Sequence, residues 1–174
     1  MLIKVLGASA GGGFPQWNCN GPMSASARAR KPGFAPRTQS SLAVSADGKR
    51  WVLLNCSPDL REQIANNPEL WPDANGPLRN SPIKAVIVTN ADVDHIIGLI
   101  NLGEGTLLTI YGSDRVLKTI NANSVFNVCN PQIVPRLELP LDQSIAIEDH
   151  GEELGLTVEA FAVPGKIALF LEDM

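Results

Sequence analysis

Cysteine is scarce in this 174-residue chain: Cys19, Cys56 and Cys129, odd in number and widely spaced. By themselves they build neither a disulfide framework nor a metal knuckle. Long apolar runs are missing too. Stretches such as Ala85-Val86-Ile87-Val88 fall far short of the roughly 20 residues a membrane helix needs, so no membrane partner is expected. The N-terminus has one early lysine, Lys4, and turns to glycine at Gly7, too soon for a signal peptide even though Ala8-Ser9-Ala10 superficially resembles a cleavage site. The expected address is the cytoplasm. Charged residues make up only 18% and the net charge is −4, which excludes a disordered chain and a supercharged nucleic-acid binder. What is present is a 44% hydrophobic content, enough for one core. At about 100–200 residues per domain, residues 1–174 are expected to form a single domain.

The charge is unevenly placed. Residues 1–50 hold seven Lys/Arg against one acid, a net +6, and the remainder holds seven against 17, a net −10. The basic cluster Arg28-Ala29-Arg30-Lys31-Pro32 could attract phosphates or an acidic small molecule. No aromatic residue interleaves with it, and Pro32, Gly33 and Pro36 give it the composition of a solvated loop.

Leu2–Leu6 reads as a strand running into the glycine loop Gly11-Gly12-Gly13. Residues 14–37, rich in proline and glycine, read as a long irregular excursion. Asp47-Gly48 between Ser41–Val44 and Trp51–Leu54 is a hairpin signal. Ser57 as cap with Pro58 at the first helical position predicts a helix through Asn66. Ile83–Thr89 is nearly all apolar, as a strand buried on both faces should be. Beyond it the pattern predicts a helix over Asp94–Leu102, a strand over Leu107–Tyr111 and a helix over Ser113–Asn121. Strands are predicted over Ser144–Ile147, Leu156–Val163 and Ala168–Leu171. The alternation implies an α/β layer architecture with a mixed sheet. A strand over Ala168–Leu171 with three residues after it has to be an edge or await a partner, so a larger design is expected.

The outstanding cluster is Thr89-Asn90-Ala91-Asp92-Val93-Asp94-His95, directly after the buried strand. Ligands of open α/β sheets bind beyond the carboxyl ends of strands, where this loop would lie. Asp92, Asp94 and His95 offer two hard oxygen donors and an imidazole, a set that suits iron, zinc or manganese better than a soft-ligand ion. The residues alone equally allow helix capping by Asp92 or Asp94, with His95 an ordinary first-turn residue. Gly11-Gly12-Gly13 lacks the Lys-Ser/Thr of a P-loop and reads as a tight turn beside that pocket. His150, among Glu148, Asp149, Glu152 and Glu153, reads as solvated, and Cys56 and Cys129 as small buried hydrophobes. Trp17 either lines a site for a flat aromatic ligand or pins its own loop.

A strand followed by the four-ligand loop H-x-H-x-D-H marks the metallo-β-lactamase-like superfamily. Here the loop reads Asn90-x-Asp92-x-Asp94-His95, keeping the final Asp-His pair and departing at the first two positions. With T-N-A-D-V-D-H-I-I-G-L around it, this resembles the pyrroloquinoline quinone (PQQ) biosynthesis protein B family. Gly11–Asn20 (GGGFPQWNCN), Pro36–Val44 (PRTQSSLAV), Asn55–Arg61 (NCSPDLR) and Val163–Asp173 (VPGKIALFLED) are similar to that family too, so the likeness runs the length of the chain. It implies an αββα sandwich, a divalent metal on Asp92, Asp94 and His95, and a quinone precursor or PQQ as small-molecule partner. Family members are regarded either as iron-dependent, oxygen-using hydroxylases of a tyrosine-derived ring or as carriers for the quinone. Open positions on a mixed carboxylate–imidazole site favour iron over zinc.

Two departures qualify that expectation. Family members carry a C-x-C-x-x-C cluster that resembles a structural zinc site, whereas this chain keeps Cys19 and has Gly21 and Ser24 at the other positions. One cysteine does not make a four-ligand site, so the structural zinc is expected to be absent and the Phe14–Arg37 loop loose. The chain also stops where the family continues, so the resemblance is to an N-terminal portion of the sandwich, and an exposed apolar face is expected near Leu156–Leu171. An inactive fragment is thus a third reading beside enzyme and carrier. Nucleic acid is not an expected partner; a homo-oligomer is compatible with the sequence.

Overall fold

The computed structural model describes residues 1–165 and 168–171. Among the described residues, eight strands and four α-helices follow in order: β1 (Leu2–Gly7), α1 (Pro22–Arg28), β2 (Ser41–Ser45), β3 (Trp51–Leu54), α2 (Leu60–Ala65), β4 (Ile83–Val88), α3 (Val93–Ile96), β5 (Thr109–Gly112), α4 (Asp114–Ala122), β6 (Arg136–Glu138), β7 (Ser144–Asp149) and β8 (Glu152–Glu159). Strands β1 to β6 form one sheet in chain order, antiparallel through β1–β2–β3 and parallel from β3 to β6. The parallel crossovers run through α2, α3 and α4. As the apolar run implied, β4 is central and covered on both faces.

Alternate residues of the sheet feed two cores. Ala43, Leu53, Val86, Val88 and Ile110 join Leu60 of α2, Ile96 of α3 and Ile120 of α4 in the larger one. Val52, Ala85, Ile87 and Tyr111 pack on the other face against Ile147 and Leu154 of the β7–β8 hairpin. The layers are therefore helices, sheet and a two-stranded second sheet, the N-terminal part of an αββα sandwich. Burying both faces of β4 is what demands a layer on each side.

The Asp47-Gly48 turn forms as its sequence predicts. One Asp47 carboxylate oxygen accepts the amides of Lys49 and Arg50 at 2.8 and 2.9 Å, and Gly48 takes φ +76°. Arg50 then bridges Asp47 to Glu152 on β8, tying the hairpin to the second sheet.

Several expectations change. Residues 14–37 are not wholly irregular, because Pro22 opens the helix α1. Nor is that loop unsupported: the Arg28 guanidinium donates to the carbonyls of Gln16, Trp17 and Cys19, and Phe14 and Arg37 exchange backbone hydrogen bonds at 2.9 and 2.7 Å. Asp59, not Ser57, stands at the N-cap of α2; the Ser57 hydroxyl is buried and has no hydrogen-bond partner among the described residues. The late strand begins at Glu152, ahead of the expected Leu156, because His150 and Gly151 make the turn with positive φ and Leu154 needs burial. Leu169–Leu171 is a 3₁₀ turn, not part of a strand. Ala168 and Leu171 bury against the larger core there, which a strand without a pairing edge would not achieve. Lys166, Ile167, Glu172 and Asp173 of the Val163–Asp173 motif lie outside the described residues. The expected apolar exposure is found at Phe161 and Val163, each 69% exposed, whereas Leu156 and Val158 are half-buried against the second core.

Candidate metal centre

The loop after β4 is shaped by its own polar side chains. Asn55, at the end of β3 with φ +64°, accepts at its Oδ1 from both the amide and the hydroxyl of Thr89, each at 3.0 Å. Asn90 accepts the Asp92 amide at 2.9 Å. Asp92 is the N-cap of α3, its carbonyl taking the amides of His95 and Ile96 at 2.8 and 3.1 Å. Its carboxylate makes no capping hydrogen bond. Backbone position is thus what Asp92 contributes to the helix, and the side chain is left over for other chemistry.

Asp92, Asp94 and His95 each offer a ligand atom, and these atoms lie within 4.8 Å of one another. All three residues are half-buried. Asp94 Oδ1 stands 3.1 Å from His95 Nδ1; when that nitrogen carries the proton, Nε2 keeps its lone pair. Two carboxylates and one imidazole on a loop tail are a donor set for a divalent first-row ion, and the geometry fits one. The Gly11–Gly13 turn lies against this cluster as expected, close enough that a Cβ on Gly11 would stand 3.3 Å from Asp94 Oδ2.

A second layer anchors the cluster to the sheet. The Cys56 amide donates to the His95 carbonyl at 2.7 Å, and the Gly98 amide to the Cys56 carbonyl at 2.9 Å. Gly98 permits the approach, since a Cβ there would meet Ser57 O at 2.1 Å. Cys56 and Cys129 are buried, as their sequence context implied, and burial raises the Cys56 thiol well above its ordinary range and the Cys129 thiol above it.

Residues 50–172 match the family model of the beta-lactamase superfamily domain. The chain belongs to this family. Over 99% of its length it is 48% identical to coenzyme PQQ synthesis protein B of Methylobacterium radiotolerans and 46% identical to that of Xanthomonas oryzae pv. oryzae. A solved Zn(2+)-bound PqqB from Methylobacterium extorquens superposes with TM-score 0.92 at 46% identity, covering 99% of this chain and 56% of the other. The chain spans about 56% of the length of these relatives. The resemblance seen in the motifs is thereby shown, as is the N-terminal part of the metallo-β-lactamase fold. Zinc in the solved relative weighs against leaving that ion out of account in this fold.

Cys19 belongs to no group of three metal-ligating side chains among the described residues; the group there is Asp92, Asp94 and His95. The Cys19 thiol is held below its ordinary pKa, first by a hydrogen bond with Ser24, then by the Gly21 backbone and the Arg28 charge. Trp17 is 83% exposed, its carbonyl held by Arg28. His150 is engaged as well as exposed, Nδ1 at 2.7 Å from Asp149 and Nε2 at 3.1 Å from the Ile133 carbonyl. A cavity of about 580 Å³ between α4 and the Leu169–Leu171 turn shares no lining residue with the metal loop. Sequence reasoning missed Asn55, Gln39 and Gly98. For Asn55 a signal existed, an Asn between an apolar strand and a helix start; Gln39 and Gly98 fall within the quoted motifs PRTQSSLAV and TNADVDHIIGL, but no local pattern gives either a role.

Proposed function

We propose that this chain takes part in PQQ biosynthesis in the cytoplasm as a single metallo-β-lactamase-like domain, acting on the quinone precursor at a divalent metal held by Asp92, Asp94 and His95. The observation that carries the pathway is the 46–48% identity to coenzyme PQQ synthesis protein B over 99% of the chain. The convergence of the three donor atoms within 4.8 Å supports the metal site. Iron is the favoured ion. It would supply one-electron chemistry with oxygen, which zinc, a Lewis acid, does not. The chain's own groups hold and orient: two carboxylates neutralise the cation, His95 gives a nitrogen donor, and Asn55 fixes the strand end from which the loop departs.

Two measurements test this reading. Calorimetry and elemental analysis should find a divalent ion bound to the wild type and none bound to an Asp94→Ala/His95→Ala double variant; equal uptake would move the site elsewhere. Expression in a strain lacking its own protein B should then be followed by secreted quinone. Restoration lost in the double variant supports catalysis by this chain. Restoration that survives in the double variant points to a carrier, and no restoration overturns an active role for the chain on its own.

A further inference from the structure

We propose that Gln39 is a positioning residue for Asp94, acting through the Gly11–Gly13 turn; the inference deepens the metal-loop reading above and rests on it. Gln39 is 7% exposed, and every polar group it owns is engaged. Its Oε1 accepts the Gly12 amide at 2.9 Å. Its Nε2 and its backbone amide both donate to Asp59 Oδ2, at 3.0 and 2.8 Å, and its carbonyl accepts from Gln63 Nε2 at 2.8 Å. An ionised carboxylate would accept from Gly12 and repel Asp59, and an apolar chain would do neither, so an uncharged side-chain amide is the group that fits.

What Gln39 holds is the wall of the metal cluster. Gly12 and Gly13 lie at φ +88° and +74°, a backbone path that needs an external acceptor to fix the free Gly12 amide. Gly11, its chain neighbour, is the residue whose Cβ would reach Asp94 Oδ2 at 3.3 Å and Cγ at 3.5 Å. The turn is stapled on its other side by the Ser9 amide to the Thr38 carbonyl and the Ser40 amide to the Ser9 carbonyl, both 2.9 Å. A line of contacts therefore runs from Asp59 at the start of α2 through Gln39 and the glycine turn to the Asp94 carboxylate. Without Gln39 the turn loses its side-chain tether and Asp94 loses the backbone that limits its rotation.

The test uses Co(II), whose visible absorption reports ligand geometry, with Gln39→Met as the variant and Asp47→Ala as a control that removes a side chain bonded to Ser45, Lys49 and Arg50 and leaves the Gly12 contact. Gln39→Met should weaken Co(II) binding about 10-fold or more, the usual loss when a group supporting a ligand is removed, and should change the absorption bands. Asp47→Ala should change neither. Normal affinity and bands in Gln39→Met would overturn the proposal while leaving the metal loop intact. If the wild type takes up no Co(II), the metal-loop reading fails, and the Gln39 claim is judged on NMR of the metal-free protein. Gln39→Met should then shift the His95 imidazole and Asp94 signals, and unmoved signals sink it. Should Gln39→Met not fold, Gly11→Ala approaches from the turn side, with the same shifts expected and their absence counting against the proposal.

Discussion

The Cys56 amide donates to the His95 carbonyl at 2.7 Å, joining the tail of β3 to the candidate metal loop that follows the neighbouring strand β4. Because the Gly98 amide closes the same junction from the other side, the loop, the start of α2 and the turn after α3 behave as one packed unit.

Gly98→Ala tests that unit. Its Cβ would stand 2.1 Å from Ser57 O and 2.7 Å from Cys56 O, both backbone atoms with little freedom to yield. We expect a stability loss of about 1–3 kcal/mol, the range for forced overpacking, with the midpoint of urea unfolding shifted down. An unshifted midpoint would show that the junction relaxes.

Arg28→Met should release the segment from Phe14 to Arg37. Three carbonyls lose their shared donor, so amide hydrogen exchange is expected to rise at residues 14–21 while β4 and β5 keep their protection. Unchanged exchange in that segment would mean that α1 alone fixes it.

Asp47 gives a pH signature. Backbone amides of Arg50 and Lys49, with the Arg50 side chain, hold its carboxyl far below the usual carboxylate range. A depressed folded-state pKa stabilises above the unfolded value of about 4 and loses that contribution as pH falls toward the folded one. The stability difference between wild type and Asp47→Ala should therefore be flat from neutral pH down to about 5 and narrow below about 4. Urea titrations across that range check it; a gap that widens in acid would refute the assignment.

Cysteine chemistry should separate the three thiols. Cys19 is half-exposed with a lowered pKa, while Cys56 and Cys129 are buried with raised ones. Iodoacetamide at mildly alkaline pH should modify Cys19 first, and peptide mass spectrometry should find the other two alkylated only after denaturation. Early labelling of Cys56 would contradict the burial.

Much of the layer architecture is legible in the residues. Ile83–Val88 is apolar apart from Lys84 because both faces are covered, and the Asp47-Gly48 turn has the chemistry that a tight reversal needs. The three residues of the candidate metal loop are legible as candidates, since two carboxylates and an imidazole fall within four positions, but the residues alone equally allow helix capping. The N-cap of α2 is misread because Asp59 is recruited by Gln39, 20 residues earlier, and no local pattern records that pairing. The strand expected at Ala168–Leu171 fails for a related reason. Apolar runs of strand length bury equally well in a single turn when no sheet edge is offered.

By itself, then, the sequence determined the family, through the motifs that resemble it, and the central strand, and it offered the candidate donors of the loop, because these rest on residue types and short local segments. Tertiary structure alone decided how the donors are held. The Gly11–Asp94 approach, the Gln39 bridge from Asp59 to Gly12 and the Cys56–His95 bond all join segments that lie far apart in the chain. Such contacts exist only once the sheet has brought its strand ends to one side. Hydrogen bonds between distant segments leave no periodicity behind, and each donor or acceptor is a common residue until its partner is beside it.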